Sequence, residues 1–154
     1  MKVNNKIILI VSAALLILVS GLVVAQQSNA GAKVLVYKTP TCGCCSKWVG
    51  HMERAGFEVE TRDLNNLASI KSQYGVQRSF SSCHTAIVDG YIVEGHVPPV
   101  YVQQLLKERP DVKGITVPGM PIGSPGMEGP NPQPYDVLSF DAEGNTTVFA
   151  RVTP

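Results

Sequence analysis

The stretch "KVLVYKTPTCGCCSKW", residues 33–48, decides how this chain of 154 residues is read. Its first half, "KVLVYKT" (33–39), alternates and is rich in valine, the pattern of a half-buried β-strand. Pro40 and Thr41 end it. Thr41 is placed to cap a helix on which Cys44, Cys45, Trp48, Val49, Met52 and Ala55 recur at three- and four-residue steps, forming one apolar face. Gly56 supplies the stop. Three cysteines, Cys42, Cys44 and Cys45, therefore crowd one strand-to-helix turn. A helix N-terminus lowers a thiol's pKa, because its dipole and free N–H groups favour the thiolate. Thiolate is both the nucleophile of disulfide exchange and a soft metal ligand, so the position suits either chemistry.

Working outward, "FEVETRD" (57–63) reads as a second strand, and Asn65 or Asn66 is placed to cap a short helix through Tyr74 that Gly75 ends. "HTAIVDGYIVEGHV" (84–97) reads as a hairpin, with Asp89-Gly90 as a tight turn that accepts positive φ. Pro98 and Pro99 open a last helix, "VYVQQLLKER", which ends before Pro110. From Pro110 to Pro134 the chain is rich in proline and glycine and reads as a loop wrapped over the domain. "YDVLSFDAEGNTTVFARV" (135–152) reads as a closing hairpin around Glu143-Gly144. The expected class is α/β, with order βαβαββα plus the loop and the C-terminal hairpin. A strand–helix–strand unit implies a parallel pair joined by a right-handed crossover. The third strand then starts, and the fourth ends, at the rim that carries the cysteine turn. That topology gathers Cys42, Cys44, Cys45, Cys83, His84 and His96 at one rim.

The N-terminal 25 residues have a different character. Lys2 and Lys6 precede an apolar run from Ile7 to Ala25 with no acidic residue, the pattern of a secretory signal. Val23 and Ala25 put small residues before a cut at Gln26. The run is also long enough to stay as a membrane anchor, and in that case residues 7–25 are the contact with a membrane. Either way residues 33–154 are expected to be exported, to the periplasm or beyond, with 26–32 as a linker. Lys2 and Lys6 are the only charged groups in the leader, so the formal charge falls from +1 to −1 without it. That is no electrostatic footprint for nucleic acid.

All four cysteines lie in the exported part, where an even count first suggests two disulfides. The spacing argues against plain staples. Three cysteines on one turn cannot close large loops with one another, and adjacent Cys44 and Cys45 would pair only with strain.

A strand, then Cys42-x-x-Cys45 at a helix start, then βαββα, resembles the thioredoxin fold, with Cys42 and Cys45 at its two redox positions. The resemblance has departures. The extra Cys44 sits between the redox cysteines, and His84 falls where thioredoxins carry a cis-proline that helps bind extended substrate chains. Those departures put ordinary disulfide exchange in doubt. A closer resemblance lies in "CGCC" after a strand, "CHTAIVDGYIVEGHVP" and "VPGMPIGSPGME", three motifs in order across about residues 33–152. Together they look like the DUF411 family, which includes periplasmic copper-resistance proteins. The resemblance implies a thioredoxin-like domain that binds a cluster of copper ions through Cys42, Cys44, Cys45 and Cys83, with a possible redox role.

The residue chemistry agrees with copper without requiring it. Cu(I) prefers thiolate, thioether and imidazole, and thiolates bridge several Cu(I) ions. Four thiolates around one Zn(II) are the alternative, though zinc sites usually take two separated cysteine pairs. No Cys-x-x-Cys-His of c-type haem occurs. His84 and His96 are candidate ligands beside the cysteines. Met120 and Met127, in the Pro/Gly loop, are candidate thioethers. His51 lies six residues past Cys45, roughly 9 Å along a helix axis, and is expected to be merely exposed. Trp48 and Met52 belong to the core. A thiol–disulfide oxidoreductase and a copper chaperone remain as alternative functions.

Overall fold

The computed structural model describes residues 31–154; the expected leader, anchor and most of the linker lie outside the described residues. Seven strands form a single sheet: β1 (Lys33–Lys38), β2 (Glu58–Asp63), β3 (Thr85–Val88), β4 (Tyr91–Glu94), β5 (Gly114–Thr116), β6 (Tyr135–Phe140) and β7 (Thr146–Val152). Their order is β2-β1-β3-β4-β5-β6-β7. Among the described residues three α-helices accompany them: α1 (Gly43–Arg54), α2 (Ala68–Tyr74) and α3 (Pro99–Glu108). Among the described residues no helix is long and apolar enough to cross a membrane.

Alternation along the strands builds two apolar layers. Val34 and Val36 of β1, Ala86 and Val88 of β3, Val93 and Ile115 face one side, where Trp48 and Met52 of α1 and Val102 and Leu105 of α3 cover them. Ile92 and Phe140 face the other side and pack with Val76 and Phe80, which flank and close the turn after α2. The two β-α-β units, β1-α1-β2 and β4-α3-β5, each pair their strands in parallel, while β3, β6 and β7 run antiparallel to their neighbours.

Most expected elements stand within a residue of their bounds, and the exceptions have physical reasons. Cys42, not Thr41, caps α1: its backbone is extended and its sulfur accepts from the Cys45 N–H at 3.3 Å. Cys44 leaves the apolar face of α1 and is half-exposed, whereas Cys45 is buried. Leu67, not Asn66, stands at the N-cap of α2; Asn66, one residue earlier, accepts from the Ala68 N–H at 2.8 Å, and Gly75 ends the helix in the left-handed conformation. The segment from Pro110 to Pro134 is not all loop. Gly114–Thr116 forms β5, wedged between β4 and β6, so the closing hairpin extends the main sheet. A short strand here needs glycine: a Cβ on Gly114 would stand 2.1 Å from the Ile92 carbonyl oxygen.

The strand directions position the site. β1 and β5 end, and β3 and β6 begin, at one rim of the sheet, so residues 117–134 run from that rim back to it.

Candidate metal centre

At this rim the turn after β1 meets the start of β3. Cys42 and Cys45 are joined by a disulfide, with Cα atoms 5.3 Å apart. Cys44 Sγ lies 3.5 Å from Cys42 Sγ. Cys83, one residue before His84 and two before β3, completes a group in which all four sulfurs lie within 4.8 Å of one another. Cys44 and Cys83 are free thiols.

A second group shares Cys83. Its Sγ is 2.9 Å from His96 Nε2 and 3.3 Å from His84 Nδ1, and the three donor atoms again fall within 4.8 Å. Both rings are fully buried. His84 is held by Trp48 at 4.5 Å between ring centroids and by His96, edge-on, at 5.1 Å. Trp48 in turn is fixed by its indole N–H, which donates to the Val97 carbonyl at 2.8 Å. His96 Nδ1 donates to the Pro125 carbonyl at 2.8 Å. That bond sets the tautomer: in a neutral ring the proton sits on Nδ1, and the Nε2 lone pair faces Cys83.

Burial controls the protonation states. It pushes the Cys83 thiol up to about 12, and neighbouring Cys44 adds to the effect. The thiolate character favoured at a helix start therefore does not extend to Cys83. Burial holds His84 well below the ordinary histidine range, with His96 and then Lys71 adding to the effect, and burial also lowers His96. Two neutral imidazoles and a thiol that loses its proton only to a strong competitor make a donor set suited to a metal ion. His84 Nε2 has no hydrogen-bond partner although it is buried. An unpaired buried polar atom costs about 1–3 kcal/mol. The four sulfurs and two imidazoles gathered at this rim are soft-metal donors. The residues present fit copper.

The Pro/Gly loop closes over this site. Gly126 has φ +88°, and a Cβ there would stand 2.5 Å from the Cys44 carbonyl oxygen, 3.0 Å from Trp48 N and 3.3 Å from His96 Nδ1. Only glycine lets the loop backbone rest on the start of α1. Glu128 holds the turn, accepting from the Gly126 N–H at 2.8 Å and pairing with His51 Nε2 at 2.5 Å. The Gly126 N–H, with His51 as a smaller contributor, pulls the Glu128 carboxyl down to about 2. His51 is thus not merely exposed; it ties α1 to the loop. Met127 lines a cavity of about 440 Å³ with Gly43, Cys44 and Lys47, at the edge of the sulfur group. Met120 is 51 % exposed.

A buried ion pair braces the site from the other side. Glu94, fully buried at the end of β4, pairs with Lys71 of α2 at 2.5 Å. It also accepts from the Ser82 N–H at 2.6 Å and the Thr85 hydroxyl at 2.6 Å, gripping the chain on either side of Cys83 and His84. Burial raises the Glu94 pKa, and Lys71 opposes it.

The same architecture recurs in solved structures. Two structures of a protein named copper resistance protein CopG match with TM-scores of 0.76 (form 2) and 0.75 (form 1). They are 40% and 39% identical, over 80% of this chain and 99% of theirs. The model of the family described as "Protein of unknown function, DUF411" matches residues 80–127. The chain belongs to the DUF411 family. The family segment contains Cys83, His84 and His96, together with Glu94, Pro125 and Gly126 that hold them. In this DUF411 protein the three-cysteine turn lies upstream of that segment, delivered to it by β1. No curated protein matches the chain.

Sequence reasoning had assigned no role to Glu94, Lys71, Pro125, Gly126 and Glu128. Glu94 carries one readable signal: on the alternation of β4 it shares the face of Ile92, a buried position where a carboxylate needs partners. Lys71 and Glu128 carry none, because their partners lie 23 and 77 residues away in the chain.

Proposed function

We propose that this protein is an exported copper-resistance protein that holds several Cu(I) ions in a cluster bridged by the thiolates of Cys42, Cys44, Cys45 and Cys83. The observation that carries the reading is the gathering of four sulfurs within 4.8 Å from two distant parts of the chain. Four thiolates at that spacing share ligands between metal ions, and Cu(I) is the first-row ion best suited to an all-sulfur site. His84 and His96 add imidazole donors beside Cys83. Met127 offers a thioether on the side of Cys44, and the more exposed Met120 of the same loop is a further candidate. The names of the CopG relatives point the same way. The signal-like residues 1–25 support export to the periplasm, and the β1-α1-β2 unit with its dithiol at the helix start supports a thioredoxin-like scaffold.

Cluster binding requires the Cys42–Cys45 disulfide to open. That step takes up two electrons and two protons and gives two thiols, which lose their protons on binding metal. The reverse step releases two electrons, the number that takes two Cu(II) to Cu(I). A copper redox activity is therefore part of the proposal.

The test is anaerobic Cu(I) titration of the reduced protein against a chromogenic chelator, with metal content by mass spectrometry. Several Cu(I) ions per chain, lost in Cys83→Ser, support the reading. One Zn(II) and no tight Cu(I) would sink it.

The disulfide itself favours a second reading, thiol–disulfide exchange with protein substrates. Its mark is reduction of insulin, or a mixed disulfide trapped in Cys45→Ser.

A further inference from the structure

The sheet has two open edges, and they are built differently. β2, at one edge, carries Glu58, Glu60, Arg62 and Asp63, all exposed. Such charged edges discourage pairing with another chain. β7, at the other edge, runs from Thr146 to Val152, and its first five residues, "TTVFA", carry no charge. Among the described residues the hydrogen bonds of β7 go to β6, which leaves the backbone groups of its outer side open. Val148 stands in that uncharged run, 54 % exposed. We propose that β7 is the interface of a homodimer, in which two copies of this chain pair their β7 strands antiparallel about a two-fold axis at Val148.

The register follows from a bulge. Val137 pairs with Ala150 and Leu138 with Val148, so Phe149 is an extra residue and β7 bends there. The stretch leading to the bend is the part free to pair. Centred on Val148, pairing sets Val148 opposite Val148 and Thr147 opposite Phe149 of the other copy. Val148 already faces half-buried Leu138 across β6, so the two copies bring two apolar Val148–Leu138 pairs together across the seam. Cross-strand apolar pairs of this kind are what stabilise a sheet.

The two ends of the strand are complementary in charge. The turn before β7 carries Asp141 and Glu143, and its far end carries Arg151. Antiparallel pairing lays the basic end of each copy beside the acidic turn of the other. In the register centred on Val148, Arg151 comes level with Asn145 of the second copy, which holds the Asp141 carboxylate through its backbone N–H and its side-chain amide, each at 2.8 Å. Pairing β7 with β2 of another copy would leave an edge open at each end and grow a filament. Pairing β7 with β7 closes at two copies and leaves only the charged β2 edges outside. Because β7 ends at the rim that carries the cysteine turn, the antiparallel pair points its two rims in opposite directions.

Sedimentation velocity over a wide concentration range, on the full chain as the cell processes it, reads the assembly. The expected result is a monomer–dimer equilibrium with no larger species. Val148→Lys sets two ammonium groups opposite each other on the axis and weakens the dimer at least about tenfold, and Val148→Glu does the same with two carboxylates. Mixed in equal amounts, the two variants recover the dimer, because each mixed pair sets Lys against Glu. Glu143→Lys, an exposed change at the acidic end, also weakens it. Hydrogen exchange gives an independent reading: the outward amides of β7 are protected in the concentrated wild-type protein and lose that protection on dilution. A protein that stays monomeric at every concentration overturns the inference. So does a dimer indifferent to Val148→Lys, or a mixture of the Lys and Glu variants that remains monomeric.

Discussion

Gly126→Ala is the most informative single change, because it strikes the loop that orients His96 without removing any metal-binding atom. Two costs add. An alanine at φ +88° pays the left-handed penalty, about 1–2 kcal/mol. Its Cβ also stands 2.5 Å from the Cys44 carbonyl oxygen, where ordinary contact begins at 3.4 Å. Both partners are backbone, and α1 is anchored by buried Trp48 and Met52, so the loop is the part that yields. The difference, 3.4 minus 2.5, is a lift of about 0.9 Å. Passed on to Pro125, that lift stretches the 2.8 Å bond to His96 Nδ1 beyond hydrogen-bonding range. Loss of such an outer-shell partner typically weakens metal binding about 10–100-fold. Cu(I) competition against a chromogenic chelator reads the affinity, and a thermal melt reads the stability, expected to drop by roughly 3–10 °C. Gly75→Ala is the control: φ is +74°, no atom lies within 4 Å of its Cβ, and it sits at the end of α2. It should cost stability alone. Wild-type copper affinity in Gly126→Ala, with the expected loss of stability, would refute the claim that the loop orients His96.

Three further outcomes follow from the same geometry. Glu94→Gln leaves Lys71 facing a neutral amide in a site that burial has dried, and breaking such a pair costs about 3–5 kcal/mol; the thermal midpoint should fall by roughly 10 °C, and an unchanged midpoint counts against the brace around Cys83. Trp48→Phe removes the only indole N–H and strands the Val97 carbonyl, at a cost of about 1–3 kcal/mol by urea denaturation. In the metal-free protein the Cys83 pKa is raised from 9.0 to about 12, so the folded state holds a proton that the unfolded chain releases. Its contribution is full below the unfolded pKa and is lost as pH rises from about 9 towards 12. Tyr135, raised from 10.0 to about 12 by burial, adds to the same decline. Denaturation series should therefore show stability falling over that window, and less steeply in Cys83→Ser.

The sequence reading went furthest where local rules and topology agree. The valine-rich alternation of β1, the apolar face of α1 and the Asp89-Gly90 turn are local, and each lies where expected. The meeting of Cys83 and His96 with the cysteine turn followed from strand direction alone. What escaped was non-local or depended on close contact. β5 is three residues long and exists because Gly114 lets it press against β4. The roles of Pro125 and Gly126 depend on where a glycine-rich loop comes to rest, which no periodicity encodes. His51 looked idle because its partner, Glu128, arrives from that loop. The methionines separate for the same reason: Met127 borders Cys44, whereas Met120 is half exposed.

The central claim is that the four sulfurs bridge copper. X-ray absorption at the copper edge, on the reduced protein loaded with Cu(I), tests it most directly. The account predicts a first shell dominated by sulfur and a short copper–copper scattering path, both lost in Cys83→Ser. A first shell of nitrogen and oxygen, or sulfur with no copper–copper path at full loading, would contradict it.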